Sequence, residues 1–127
     1  MAIQKPNKSS ENCNFMQWTV LFYETNAGER VVENFIKNQQ SQAKGKISHL
    51  IDLLEKHGSI LGMPHAKHLG TNLYELRVRG KEEIRILYGF KKRTIYLLHA
   101  FKKQTQKTPN KEIETALQRL QILIDKI

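Results

Sequence analysis

A single cysteine, Cys13, stands among the 127 residues, so an internal disulfide is excluded and a thiolate metal site or a stapled secreted scaffold lacks its sulfur. Nowhere does the chain run through the ~18 apolar residues that a membrane span requires, and the polar stretch 2–14 lacks the apolar core of a signal peptide. A soluble, cytoplasmic protein is therefore expected. There is no G-x-S-x-G nucleophile elbow, and Gly80-Lys81 lacks the preceding glycines of a phosphate loop. His65 and His68 have no third ligand, so neither a metal nor another cofactor is expected. Internal repeats, low-complexity tracts and linkers are missing too, and a chain of this length has interior for one core only. Residues 1–14, without periodicity, read as a mobile leader, and residues 15–127 as one domain.

Acidic residues are scarce where basic ones abound. Residues 1–63 carry 7 Lys and Arg against 6 Asp and Glu, whereas residues 64–127 carry 14 against 6, so the second half holds nearly all of the formal charge of +9. That asymmetry favours a polyanionic partner, because Lys and Arg contacts to phosphates release counterions and set most of the affinity.

Hydrophobic periodicity predicts the order β-α-α-β-β-β-α. The aromatic run FMQWTVLFYE, residues 15–24, is β-rich and reads as a first strand. Asn26 with Glu29 three residues on forms a capping box ahead of a short helix through Val31, Val32, Phe35 and Ile36. A second helix begins near Ser41, carries Ala43, Ile47, Leu50, Ile51 and Leu54 at helical spacing, and stops at Gly58. Gly58, Gly62, Pro64 and Gly70 mark residues 58–71 as a loop. Residues 73–79, 83–90 and 94–101 read as an antiparallel meander with short hairpin links. Thr108-Pro109 is a cap and first-turn pair for a last helix whose apolar stripe runs from Ile113 to Ile127. The fold class is thus α+β, an antiparallel sheet packed on an N-terminal helical hairpin with a C-terminal helix.

The strand LYELRVR alternates, with Tyr74, Leu76 and Val78 on one face and Glu75, Arg77 and Arg79 on the other. In EIRILYGF, Arg85 opposes the apolar set of Ile84, Ile86, Tyr88 and Phe90. If Gly80, Lys81 and Glu82 form the loop, every apolar residue pairs with an apolar one, Arg79 meets Glu83, and Arg77 lies directly across from Arg85. Two facing guanidiniums repel unless an anion or a carboxylate sits between them, and a phosphodiester suits their bidentate geometry. Glu75, diagonal on the same face, is the carboxylate that can neutralise Arg77 instead. Lys102, Lys103 and Lys107 extend the positive field where the chain leaves the sheet. His99 lies in TIYLLHAF, which is apolar on both faces, so its direction stays open and it reads equally as a buried histidine or as a general base.

Residues 61–117, through LYELRV, RILY and HAFKKQTQKTP followed by an EIE-type helix, resemble the RelE superfamily, and in particular its phage-derived, HigB-like toxins. The resemblance implies a RelE-like fold with a concave basic face and a metal-independent, ribosome-dependent mRNA endoribonuclease. It further implies a cognate antitoxin, of helix-turn-helix type, as partner besides the ribosome and mRNA. By motif, Arg77, Arg85, Lys102 and Lys103 carry over as catalytic positions, with His99 as a further proton-transfer candidate and Lys107 as a looser match. Arg79, Lys67 and Lys107, with Lys91, Lys92 and Arg93 of the KKR link, are the expected RNA-binding surroundings. Two departures stand out, since Glu75 falls where the best-known toxin of the superfamily has lysine, and no tyrosine follows the final basic cluster. Two other functions remain open at this stage, a DNA gyrase poison of the same fold and a non-catalytic nucleic-acid-binding regulator.

Overall fold

A computed structural model describes residues 17–126; the leader proposed for residues 1–14 lies outside them. In chain order the elements are β1 (Thr19–Phe22), α1 (Val31–Lys37), α2 (Ser41–His57), β2 (Ala66–Gly70), β3 (Leu73–Val78), β4 (Ile84–Lys91), β5 (Thr94–Lys102) and α3 (Asn110–Asp125). The fold is mixed α+β, a five-stranded sheet in the order β1-β5-β4-β3-β2 with three α-helices, as expected of a RelE-like domain. Its meander has the expected register, with Tyr74 against Tyr88, Leu76 against Ile86 and Val78 against Ile84.

Three expectations need correction. The sheet is not wholly antiparallel, because β1 runs parallel to β5; reaching that edge takes the two-helix crossover and the intervening strands, a long-range pairing that local sequence does not reveal. Residues 66–70 are not loop but the edge strand β2, paired antiparallel with β3. Its Gly and Pro flanks conceal it, and its Thr71-Asn72 turn is pinned by Asn72, whose amide donates to the Phe90 carbonyl and accepts from the Phe90 N–H. Finally, α1 does not start at an Asn26 cap. The Thr25 N–H donates to the Glu29 carbonyl and the Thr25 hydroxyl accepts from the Glu29 N–H, across a turn that Gly28 closes at φ 86°, which delays the helix to Val31.

Apolar residues fall on both faces of the sheet. On the first, Leu76, Val78, Ile84, Ile86, Tyr88, Ile95 and Leu97 pack against Val32 of α1 and Ile47, Leu50 and Leu54 of α2. On the second, Leu73, Leu87, Leu98 and Phe101 pack with Tyr23 against Ala116 and Leu120 of α3, with Ile113 and Leu123 partly buried beside them; of the expected C-terminal stripe, Leu117 and Ile124 are exposed and Ile127 lies outside the described residues. Helix α3 contacts β4 and β5, and Thr108, in the loop that precedes it, hydrogen-bonds to Glu75 beside Arg77 and Arg85.

A bulge positions His99. The register shifts between Leu87, which pairs with His99, and Tyr88, which pairs with Leu97. Leu98 is the extra residue, and it turns His99 onto the α3 face beside Leu87.

Candidate anion-binding site

Arg77 and Arg85 are direct cross-strand partners and share a face of the sheet. They do not share a surface. Only 4% of the Arg85 side chain is exposed, against 12% for Arg77, so the expectation that both guanidiniums face solvent holds in part for Arg77 and fails for Arg85. The reason lies in carboxylates. Arg85 Nη2 donates to Glu83 Oε1 at 2.9 Å, its Nη1 donates to the Ile84 carbonyl at 3.1 Å, and its Nε lies 3.7 Å from Glu75 Oε1. That Nε has no hydrogen-bond partner although it is buried.

Glu75, itself 1% exposed, lies between the two arginines. Arg77 Nε donates to its Oε1 at 3.5 Å, and the Thr108 hydroxyl donates to its Oε2. Thr108 therefore does not cap α3 as its sequence context suggests, and Pro109 occupies the N-cap position instead. The carboxylate offsets the repulsion that two facing guanidiniums would otherwise impose. The outer end of Arg77 is turned away from it, with Nη1 3.9 Å from the sulfur of the exposed Met63.

Lys103 is half-buried beside this cluster, its backbone N–H bonded to the Glu83 carbonyl at 2.7 Å. Burial holds its pKa below the ordinary lysine value, and the Arg85, Arg77 and Lys67 charges push the same way while Glu75 opposes them. Lys67 is the cross-strand partner of Glu75 on the exposed edge strand. Arg79 is exposed at the β3 end and lies 3.6 Å from Glu83 Oε1, as the register predicts. Lys107 is exposed in the loop that leads to Thr108, where its carbonyl accepts from the Thr105 hydroxyl at 2.7 Å. Of the residues brought together here, the sequence named Arg77, Arg85, Lys103, Lys67 and Arg79, weighed Glu75 only as a neutraliser, and did not single out Met63 or Thr108 for this place, which no local pattern marks.

Other expected site residues lie elsewhere. Lys102 pairs with the core residue Ile84 and so points to the opposite face, where it meets Glu82 at 2.9 Å. His99 shares the face of Arg85 but both its nitrogens are taken. Arg119 Nη1 lies 3.4 Å from Nδ1 and can only donate, so Nε2 carries the proton and donates to Glu112 Oε1 at 2.6 Å. No ring nitrogen is left to accept a substrate proton. The KKR link is at the far end of the sheet, about 20 Å from Arg85 at ~3.3 Å per residue. There Lys91 donates to the Leu123 and Lys126 carbonyls at the end of α3, Lys92 takes φ 58° in the turn, and the Arg93 guanidinium lies 4.0 Å over the Trp18 ring. Among the described residues no group of three or more His, Cys, Asp or Glu could hold a metal ion, and no helix is long and apolar enough to cross a membrane.

Every residue of the cluster falls within 34–121, the stretch matched by the family model described as phage-derived protein Gp49-like. The chain belongs to the Gp49-like family. This family is of the RelE and HigB toxin type, which agrees with the resemblance carried by LYELRV and HAFKKQTQKTP. No curated protein matches this Gp49-like chain.

Proposed function

We propose that this Gp49-like protein is the toxin of a toxin–antitoxin pair and cleaves mRNA on the ribosome without a metal. The observation that carries the reading is that Arg77 and Arg85 meet across the sheet over the buried carboxylate of Glu75, with Lys103 tied by its backbone to Glu83 and close enough to feel the charges of Glu75, Arg85, Arg77 and Lys67. Family membership supports a toxin and with it an antitoxin partner; a helix-turn-helix antitoxin encoded nearby belongs to the proposal.

In this reading Arg77 grips the non-bridging oxygens of the scissile phosphate, and Arg85 supplies fixed positive charge from beneath. Lys103 takes the proton of the ribose 2′-OH, the 2′-oxygen attacks phosphorus, and the 5′-oxygen leaves with a proton from water. A 2′,3′-cyclic phosphate and a 5′-hydroxyl end result. The lowered pKa of Lys103 raises the fraction of free amine near neutrality, which a base requires. Its sign is testable. Cleavage should rise with pH as Lys103 deprotonates and level off below the ordinary lysine range; a rate that falls across that interval would exclude Lys103 as the base.

The deciding experiment adds purified protein to translating ribosomes and maps the mRNA ends. Codon-phased cuts support the proposal, gyrase-trapped DNA breaks would favour the gyrase poison, and salt-sensitive binding without cutting would favour the regulator. Lys102→Ala should keep cleavage within about twofold of wild type, as an exposed charge away from the reacting groups. A large loss there would place the site on the wrong face.

A further inference from the structure

A carboxylate beneath a phosphate site repels the ligand, so Glu75 needs a reason to be there. Its two oxygens connect separate parts of the chain. Oε1 meets Arg77 on its own strand and Arg85 on β4, and Oε2 accepts from Thr108 in the loop that runs from Lys103 to α3. Only 1% of Glu75 and 7% of Thr108 is exposed, so neither reaches RNA. A guanidinium has a side edge at Nε and an end edge formed by its two terminal nitrogens. Glu75 occupies the Nε side of Arg77 and leaves the end fork outward, under a flexible methionine.

Resting on the ribonuclease reading, we infer that Glu75 and Thr108 are positioning residues. The carboxylate, pinned by the Thr108 hydroxyl, aims the outward fork of Arg77, which Met63 covers, and holds the loop that carries Lys103. Two contacts from one buried group thereby fix the phosphate grip and the base relative to each other. A misplacement of about 1 Å in such an arrangement can lower turnover by about 100-fold without any change of reacting groups.

Thr108→Val, Thr108→Ser and Glu75→Gln test this. Thr108→Val removes the donor and should lower kcat by about 10- to 100-fold, with KM changed far less, while Thr108→Ser restores kcat. Glu75→Gln keeps an acceptor for Thr108 and removes the one negative charge acting on Lys103. The charges then facing Lys103 are Arg85, Arg77 and Lys67. Its titration, followed by NMR of the lysine side chain without RNA, should move to lower pH, and the rise of cleavage with pH should move with it.

An unchanged kcat in Thr108→Val, or an unmoved Lys103 titration in folded Glu75→Gln, would overturn the inference. So would a Thr108→Val loss that tracks the melting temperature and is not rescued by serine. Absence of cleavage by the wild type would sink the ribonuclease reading alone, because the Lys103 titration in the variants still reports whether Glu75 holds the cluster.

Discussion

If the protein cleaves mRNA as proposed, Arg77→Ala should lower that cleavage by about 100- to 1,000-fold, the loss typical of removing one preorganised charge donor. Arg85→Ala should lose activity by another route. Arg85 is 4% exposed and holds Glu83 at 2.9 Å, so its removal breaks a buried network and withdraws a cation from Glu75. Removing one partner of a buried ion pair destabilises by about 3 kcal/mol or more, which for a domain of this size lowers Tm by about 10 °C. The pH dependence separates the two further. Hydrogen bonding from Arg85, ahead of its charge and that of Arg79, holds the Glu83 carboxyl below the ordinary range against a smaller effect of burial. A depressed carboxylate pKa stabilises above its unfolded value and is lost as pH falls through the folded value. Wild type should therefore lose stability over that acidic window, and Arg85→Ala should lose less of it. Growth arrest on induced expression, with melting curves beside it, reads both variants. If Arg77→Ala arrests growth as well as wild type, the phosphate grip is misassigned.

Much of this arrangement was legible because strand alternation and a three-residue link determine a register. Tyr74, Leu76 and Val78 had to find Tyr88, Ile86 and Ile84, and that requirement alone put Arg77 across from Arg85. Depth was not legible. Whether Arg85 reaches solvent depends on Glu83 folding back over it and on Glu75 drawing it inward, and alternation is silent on both. The same gap explains Lys102 and Lys103. Adjacent residues must face opposite ways on a strand, yet the bulge at Leu98 reverses the phase of everything after it, so only coordinates show which lysine joins the arginines. His99 was undecidable for that reason. Thr108 was misread because a Thr-Pro pair before an amphipathic stretch is a good cap locally, and the competing acceptor, Glu75, lies 33 positions away.

Gly58→Ala is expected to destabilise the fold more than any surface change, although Gly58 is far from the cluster. The residue ends α2 at φ 53° and ψ −121°, where its N–H bonds to the Leu54 carbonyl. A side chain in that region of backbone space is strained by about 1–3 kcal/mol. Space is lacking as well. An added Cβ would lie 2.1 Å from Nε1 and 2.2 Å from Cε2 of Trp18. That indole cannot retreat easily, since its backbone N–H is tied to Glu55 at 2.8 Å, Phe90 packs edge-on at 5.2 Å and Arg93 covers its face. Overpacking adds about 1–3 kcal/mol, for a total of roughly 2–6 kcal/mol and a fall in Tm of about 10 °C or more. Gly45 provides the opposite sign. It sits inside α2, exposed, with nothing within 4 Å of a built Cβ, so Gly45→Ala should raise stability by about 0.5–1 kcal/mol through helix propensity. Thermal melts of the two variants decide the matter, because close packing of Trp18 on Gly58 and helix propensity at the open Gly45 predict effects of opposite direction. A Gly58→Ala protein that melts with wild type would mean that Trp18 does not pack there.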